Sequence, residues 1–285
     1  MPTLANHSAR AFHKLLVVGD SKVGKTSSLV SLIEAGYNLR ILDMDNLLDP
    51  LVSLVRQRCP DRLDSVEYRT IRDTYRMTNG GCTIDGRPKA FIEAAKMIEH
   101  WTYDYDGKTI DLGAPSTWGP SCILVLDSLS RFCDAAYDWA AAMAPRGKSG
   151  DYDGRAVYGS AQSECENILA TITSNTFETN VIVICHGQYI ELDDGSARIF
   201  PQSVGQKLSP KVPQYFPAYV RYINQGGKRT IQLKSNPMID LANPDPANLP
   251  DMLPAETGLA TIFGAATSAA PPQPKPILAI RRLPK

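Results

Sequence analysis

The chain has 285 residues, 43% hydrophobic and 21% charged, and its formal net charge at pH 7 is zero. A chain of this length can bury one large core, and its neutrality excludes a global field that attracts nucleic acid or membranes. Six cysteines without a C-x-x-C pair argue against a disulfide scaffold or zinc site and favour a reducing compartment. Because we find neither a signal peptide nor a membrane-spanning stretch, we expect a cytoplasmic protein without membrane association.

Four short apolar runs alternate with helix-like segments, and each run is nearly continuous in Leu, Ile and Val. The runs are KLLVVGD (Lys14–Asp20), LRILDMD (Leu39–Asp45), SCILVLD (Ser121–Asp127) and NVIVICH (Asn180–His186). Such runs are typical of strands buried on both faces of a parallel sheet. The alternation predicts an α/β fold with a doubly wound, mainly parallel sheet flanked by helices.

The loop after the first run matches G-x-x-x-x-G-K-[ST], between a predicted strand and a helix that ends at Gly36. In this setting the backbone N–H groups and the helix N-terminus surround the β-phosphate of a nucleotide. Lys25 is predicted to bridge the β- and γ-phosphates, and the Thr26 hydroxyl to bind Mg²⁺. The predicted nucleotide-binding residues are Gly19, Asp20, Ser21, Lys22, Val23, Gly24, Lys25, Thr26 and Ser27.

The second run ends in two acids, Asp43 and Asp45, which would point to the same face of an extended strand. The carboxyl ends of parallel strands are where ligands of α/β sheets bind. ATP hydrolysis requires a carboxylate that orients or deprotonates the attacking water. Asp45 lies further out and is our candidate catalytic residue, whereas we expect Asp43 to fix the loop or to be an ordinary strand-end acid.

Residues 60–117 are predicted to be an insertion between core strands. It contains a strand-like VEYRTI and an amphipathic helix around KAFIEAAKMIEHW, in which Phe91, Ile98 and Trp101 recur at helical spacing. We expect these three residues to pack rather than to bind a ligand. A turn is expected at DYDGK (Asp104–Lys108).

The third run ends at Asp127, which we expect to support Mg²⁺ together with Thr26. The phosphate loop by itself resembles that of a Ras-type GTPase. The residues that follow the third run distinguish a GTP-binding protein from an ATP-binding one. Such a GTPase would have D-x-x-G where this chain has Asp127-Ser128-Leu129-Ser130, and no N-K-x-D element follows. The sequence therefore favours ATP over GTP.

After Ile231 the chain becomes rich in Pro and Ala. We predict an ATPase domain over residues 1–263 and a flexible Pro/Ala-rich tail over 264–285. The tail ends in the basic segment ILAIRRLPK.

Three segments, ILDMDNLLDP, ILVLDSLSRF and NVIVICHGQ, together resemble RecA-type recombinases in order and spacing. The resemblance places Asp45 where that family has its water-activating Glu, which is one methylene longer. It places His186 at the γ-phosphate sensor, with Gln188 as the open alternative. The pattern is most similar to the core-only RecA-like ATPases that bacteriophages use in recombination and single-strand annealing.

The resemblance also implies two DNA-binding loops, one after the Asp127 strand and one after the His186 strand. The first loop, Ala144–Arg155, carries Arg146, Lys148 and Arg155. The second lies in the window 195–239, which contains no Asp or Glu. Its seven basic residues include Arg198, Lys207 and Lys211. Basic loops with aromatic residues suit single-stranded nucleic acid. Phe200, Tyr215 and Phe216 are the candidate stacking residues, unless they pack in the core.

In RecA-like assemblies a lysine at the position of Lys234 reaches the ATP of a neighbouring subunit, which implies self-association into a filament or ring. The resulting hypothesis is a Mg²⁺-dependent, DNA-stimulated ATPase that acts on single-stranded DNA, with a single-strand-binding or recombination protein as a further partner. Two alternatives stay open: a helicase-type motor or helicase loader, and an ATP-dependent protein scaffold without DNA binding.

Overall fold

The computed structural model describes residues 12–147, 150–192 and 195–265. The strands are β1 (Lys14–Gly19), β2 (Asn38–Asp43), β3 (Val66–Thr70), β4 (Tyr75–Thr78), β5 (Gly81–Ile84), β6 (Thr102–Tyr105), β7 (Lys108–Asp111), β8 (Gly119–Asp127), β9 (Thr179–Glu191), β10 (Ala197–Pro201), β11 (Ala218–Gln225), β12 (Lys228–Gln232) and β13 (Met252–Pro254). The α-helices are α1 (Val30–Glu34), α2 (Asp49–Arg58), α3 (Ala90–Glu99), α4 (Leu129–Met143), α5 (Gly154–Thr173), α6 (Gly205–Leu208) and α7 (Gly258–Ala265).

In the described part of the chain, nine strands form one sheet with the order β13-β12-β11-β1-β9-β8-β2-β3, and β10 pairs with β9. The six strands from β11 to β3 in this order are parallel to their neighbours, whereas β10, β12 and β13 pair antiparallel. The predicted α/β fold with a mainly parallel sheet is therefore confirmed. All four apolar runs are strands of this sheet.

The sheet is buried on both faces because its strands carry apolar residues on both. In β1, Leu16 and Val18 belong to a core shared with α3, α4 and α5, and Leu15 and Val17 to a second core shared with α1, α2 and α7. Helices thus cover both faces, as a doubly wound sheet requires. Within the described ranges, none of the helices combines the length and the apolar character needed to cross a lipid bilayer.

Several element boundaries differ from the predicted ones; β9, for example, continues to Glu191 instead of ending near His186. The helix after the phosphate loop begins as a 3₁₀ turn (Ser27–Leu29) before α1. The second strand ends at Asp43 rather than at Asp45, because Asn46 adopts a left-handed conformation with φ of 58° and turns the chain away. Asp45 therefore lies in a loop.

The predicted insertion at 60–117 begins with a strand of the central sheet, since β3 pairs in parallel with β2 at the sheet edge. The rest of the segment contains α3 and two hairpins, β4–β5 and β6–β7. The packing expected for Phe91, Ile98 and Trp101 is confirmed, because all three are buried in the core with α4. The domain boundary predicted at 263 stays a prediction, because residues 266–285 of the predicted tail lie outside the described part.

Trp101 tests whether the 60–117 segment unfolds with the rest of the protein. Its side chain is fully buried and its ring lies 5.6 Å from that of Trp118. We expect Trp101→Ala to lower the free energy of unfolding by about 3–5 kcal/mol, since it leaves a large cavity. Chemical denaturation should show the whole transition shifted.

The matched control is Tyr105→Ala on the β6–β7 hairpin, where the side chain is 69% exposed. It should change the stability by less than about 0.5 kcal/mol. An unshifted main transition in Trp101→Ala would instead mean that this segment is a separate folding unit.

Candidate nucleotide-binding site

The phosphate loop, residues 19–26, runs from the end of β1 to the 3₁₀ turn before α1. A Cβ at Gly19 would lie 2.8 Å from the carbonyl oxygen of Tyr222, so only glycine fits beside β11. Gly24 has a φ of 96°, which L residues rarely adopt, and a Cβ there would lie 3.1 Å from Arg229 Cδ. The two glycines thus meet different backbone requirements, one of space and one of conformation.

Lys25 lies across the loop and is almost fully buried. Its Nζ donates to the carbonyl oxygens of Gly19 and Asp20 at 2.8 and 2.7 Å. Burial lowers the pKa of Lys25, and the negative charge of Asp127 opposes that shift. The ammonium group is therefore held inside the loop, where a bound polyphosphate would be contacted.

Thr26 and Asp127 meet at the carboxyl end of β8, where the Thr26 hydroxyl donates to Asp127 Oδ2 at 2.6 Å. Asp127 is 4% exposed, and burial raises its pKa to about 6, with the Thr26 hydrogen bond opposing the shift. A hydroxyl and a carboxylate at this separation fit Mg²⁺, which usually takes one or two protein ligands besides phosphates and water. These two residues would hold the ion.

Asp45 lies in the loop after β2 with its carboxylate between the side chains of His186 and Arg131. Its Oδ2 is 3.7 Å from His186 Nε2, and its Oδ1 is 3.6 Å from Arg131 Nε. Burial alone would raise the pKa of Asp45, but hydrogen bonds from His186 and Ser128 and the charges of His186 and Arg131 outweigh it and lower the pKa. Asp45 is therefore ionised at neutral pH, as a group that orients or activates water must be.

Asp43 and Asp45 are not both in the strand, so the alternation of side chains along a strand does not apply to this pair. The strand ends at Asp43, whose Oδ1 accepts from the backbone N–H of Asn46 at 2.7 Å and whose Oδ2 accepts from Thr70 at 2.9 Å. Its carboxylate closes the turn that carries Asp45, so the alternative expectation, that Asp43 fixes the loop, agrees with the structure.

The structure separates the two candidates for the γ-phosphate sensor. His186 lies opposite Gly19 in the sheet register and touches Asp45. Gln188 accepts from the Ser209 hydroxyl at 3.4 Å and does not line the cleft that His186 lines. The geometry therefore favours His186.

Two clefts flank the phosphate loop. The first has a volume of about 440 Å³ and is lined by Asp20, Ser21, Asp45, Leu47, Arg72, Ser130, Arg131, Asp134, His186, Gly187 and Gln202. The second, of about 470 Å³, is lined by Gly24, Ser27, Ser28, Val30, Leu54, Arg58, Gly227, Lys228, Arg229, Pro254, Ala255 and Glu256. We call them the Asp45 cleft and the Arg229 cleft.

Some of the residues predicted to bind or act on the nucleotide do not line either cleft. Val23 is buried in the core, and Lys22 is exposed with a φ of 65°. Lys234 lines neither cleft and forms an exposed ion pair with Asp251 at 2.8 Å. Its predicted contact with a neighbouring subunit stays a prediction.

Sequence reasoning missed Arg72, Arg131 and Gln202 in the Asp45 cleft and Arg229 in the other. Arg131 follows Asp127 by four residues and lies in the first turn of α4. This spacing in the sequence could have predicted that Arg131 lies near the strand end. No pattern in the sequence pointed to Arg72 or Gln202, because each comes from a segment that only the folded chain brings to this edge.

The candidate DNA-binding residues divide into paired and unpaired cations. Arg198 forms an ion pair with Asp240, and Lys211 with Glu166 at 2.9 Å. Arg146, Arg155 and Lys207 are exposed, and among the residues that the structure describes no carboxylate lies within 4 Å of their charged groups. Lys148 lies outside the described residues.

The aromatic residues predicted to stack are mostly packed. Phe216 is buried, and Tyr215 packs against the same core. Phe200 is half-buried beside the Arg198 guanidinium, 5.9 Å from its ring centroid. The alternative that these rings pack is therefore favoured, most clearly for Phe216.

A family model described as an AAA domain matches residues 11–242, which include every residue of the Asp45 cleft. The chain belongs to the AAA domain family. No match to the chain is found among curated proteins. Membership indicates that this AAA domain binds and hydrolyses ATP, in agreement with the Lys25, Thr26 and Asp127 geometry.

The raised pKa of Asp127 predicts how this residue affects stability. Folding raises its pKa from 3.8 to about 6, so the folded state binds the proton more tightly and the buried charge destabilises the fold above pH 6. We expect Asp127→Asn to raise the free energy of unfolding by about 1–3 kcal/mol near neutral pH. The gain should disappear as the pH falls towards 4.

Thermal unfolding with and without Mg²⁺ and ATP checks both parts of this prediction. The variant without ligands should melt at a higher temperature than the wild type and gain less from Mg²⁺ and ATP. A variant that melts at a lower temperature than the wild type near neutral pH would contradict the expected direction.

The role assigned to Asp45 predicts the effect of removing its negative charge. Asp45→Asn keeps the shape but cannot accept a proton, so we expect turnover to fall about 10²- to 10⁴-fold while nucleotide affinity changes little. Steady-state kcat and a direct binding measurement separate the two effects. The control is Asp134→Asn, which removes the other carboxylate near Arg131, 3.2 Å from its Nη1. Full turnover in Asp45→Asn would show that another group activates the water.

Proposed function

We propose that this AAA domain is a Mg²⁺-dependent ATPase that acts on single-stranded DNA, in recombination or strand annealing. The observation that carries the proposal is a direct hydrogen-bonded connection between the Asp45 cleft and the chain segment that leads to Lys207. The resemblance of three motifs to RecA-type recombinases supports the same assignment.

The connection runs through Gln202, the residue after β10. Its backbone N–H donates to the carbonyl oxygen of His186 at 2.8 Å. Its own carbonyl accepts from the Ser130 hydroxyl at 3.3 Å and from the Cys185 thiol at 3.2 Å. Ser130 in turn accepts from the backbone N–H of His186 at 3.1 Å. A displacement of His186 by a bound γ-phosphate would therefore act on the start of the 202–211 segment.

The two clefts suggest the orientation of the nucleotide. Asp45 and His186 are in one cleft, so the γ-phosphate would face it. The apolar walls of the Arg229 cleft, Val30, Leu54 and Pro254, suit a nucleoside. The phosphate chain would cross the loop between the clefts and meet Lys25 and Thr26 there.

The chemistry assigned to each residue follows from its environment. Bound Mg²⁺ would supply charge neutralisation of the β- and γ-phosphates. Lys25 contacts the same oxygens, and Asp45, ionised and half-buried beside His186, orients the attacking water. Arg131, within ion-pair distance of Asp45, holds this carboxylate in place.

The DNA-binding surface of this proposal consists of Arg146, Arg155 and Lys207. Each is exposed, and none has a carboxylate partner among the described residues. Cations outside ion pairs can displace the counterions of a phosphate backbone, which is the main source of affinity for nucleic acid. Arg146 would also exchange its hydrogen bond to the Gly150 carbonyl oxygen for one to a phosphate. Lys211 and Arg198 contribute less, because each would first have to leave its ion pair.

Those ion pairs favour a second candidate function, an ATP-dependent scaffold that binds protein. Arg198 with Asp240 and Lys211 with Glu166 turn part of the basic window into a mixed-charge surface, which suits protein partners better than DNA. In either case we propose self-association into a filament or ring, in which Lys234 leaves Asp251 to contact a neighbouring nucleotide. A helicase motor or loader would be distinguished by unwinding or loading activity.

ATP turnover measured with and without single-stranded DNA tests the proposal. We expect stimulation of about tenfold at low salt that fades as the salt concentration rises, since phosphate contacts release counterions. The double substitution Arg155→Ala with Lys207→Ala should remove the stimulation and leave basal turnover unchanged. Lys25→Ala should remove turnover altogether.

Turnover that is the same with and without DNA would leave the scaffold as the better hypothesis. Stimulation that persists in the double variant would place the DNA on another surface.

A further inference from the structure

Three tyrosines meet where α4 and α5 approach each other beside the first candidate DNA segment. The rings of Tyr137 and Tyr158 lie 4.6 Å apart with their planes inclined by 43°. The neighbouring Tyr152 and Tyr158 hydroxyls raise the pKa of Tyr137 to about 12. We call these three residues the tyrosine cluster. Tyr158 is 45% exposed, whereas Tyr137 and Tyr152 are half-buried and packed against the core.

The tyrosine cluster touches both candidate DNA segments. On one side, the Arg146 guanidinium lies 5.9 Å from the centroid of the Tyr152 ring. On the other side, the position of a Cβ on Gly205 is 3.5 Å from Tyr158 Cδ1. Gln162, one turn further along α5 than Tyr158, donates to the carbonyl oxygen of Val204 at 3.0 Å. Helix α5 thus holds both segments against one aromatic surface.

Charged residues of both signs lie near the tyrosine cluster. Arg146 is in contact with it, Arg155 precedes Tyr158 by three residues at the start of α5, and Lys207 follows Gly205 by two residues. Asp151 and Asp153 flank Tyr152 in the sequence, and the Asp153 carboxylate accepts from the backbone N–H of Arg155 at 2.9 Å as the N-cap of α5. An exposed ring with cations nearby is an arrangement that can bind unpaired bases by stacking and their phosphates by charge.

We propose that the tyrosine cluster is a stacking platform for the bases of a single strand. The Tyr158 ring carries a base, and Arg146, Arg155 and Lys207 contact the neighbouring phosphates. The inference rests on the proposed binding of single-stranded DNA and adds the residue that recognises bases. The contact with the Tyr137 ring holds the Tyr158 ring in place before binding, so less conformational entropy is lost. In a duplex the base faces are covered, so the platform selects single strands.

An abasic strand separates base stacking from phosphate contacts. Fluorescence anisotropy at low salt would compare oligothymidylate with an abasic strand of the same length. We expect the wild type to bind oligothymidylate about tenfold more tightly than the abasic strand. Tyr158→Ala and Tyr158→Leu should lose this preference and bind the abasic strand as the wild type does. Tyr158→Phe should keep most of it.

Two controls make the outcomes distinct. Tyr105→Ala, at a tyrosine 69% exposed on the β6–β7 hairpin, should keep the full preference. Thermal unfolding identifies any variant that is misfolded, and Tyr158→Leu keeps apolar bulk if the alanine variant is unstable. Retention of the preference in Tyr158→Leu overturns the platform. So does equal binding of both strands by the wild type, which leaves DNA binding itself intact. If the wild type binds neither strand, the proposed function fails with the platform.

Discussion

The position of β9 between β1 and β8 is the constraint on which the site depends. Register places His186 opposite Gly19 on one side, and Ile184 opposite Asp127 on the other. Because Asp127 is opposite Asp43 in β2, the phosphate loop, His186, Asp127 and the Asp45 loop follow one another along the carboxyl edge of the sheet. This is the edge where open α/β sheets bind ligands, and a different strand order would separate these groups.

Two carboxylates at this edge, the buried Asp127 and the half-buried Asp45, have pKa values shifted in opposite directions, and their surroundings explain why. Asp127 has mainly the Thr26 hydroxyl to offset its burial, so its charged form is costly until a cation binds there. Asp45 has His186, Ser128 and Arg131 around it, and its charged form is favoured. Groups with such different environments can take different parts in one reaction. The first is suited to hold a metal ion, and the second to accept a hydrogen bond from water.

Strand β9 also continues beyond the parallel part of the sheet, and this extension brings the nucleotide site close to the surface proposed for DNA. It pairs with β10, and the chain returns at Gln202 to the backbone of His186. From there the chain runs to α6, where Gly205 lies against Tyr158. The two sites are thus joined by a short stretch of hydrogen-bonded backbone, and a change in one can bias the other if this stretch has two arrangements.

The sequence by itself determined the fold class, the phosphate loop and the acids at the strand ends, because these depend on local patterns. Buried parallel strands are continuous in apolar residues, and a phosphate loop needs glycine, lysine and threonine at fixed spacing. The exact end of β2 was missed, since a left-handed Asn46 ends the strand although the sequence still reads as extended.

Only the tertiary structure decided which distant residues meet. It brought Arg72, Arg131 and Gln202 to Asp45, gave Arg198 and Lys211 their acidic partners, and buried Phe216 while exposing Tyr158. Such contacts join segments far apart in the chain, and side-chain burial depends on neighbours that no local pattern encodes.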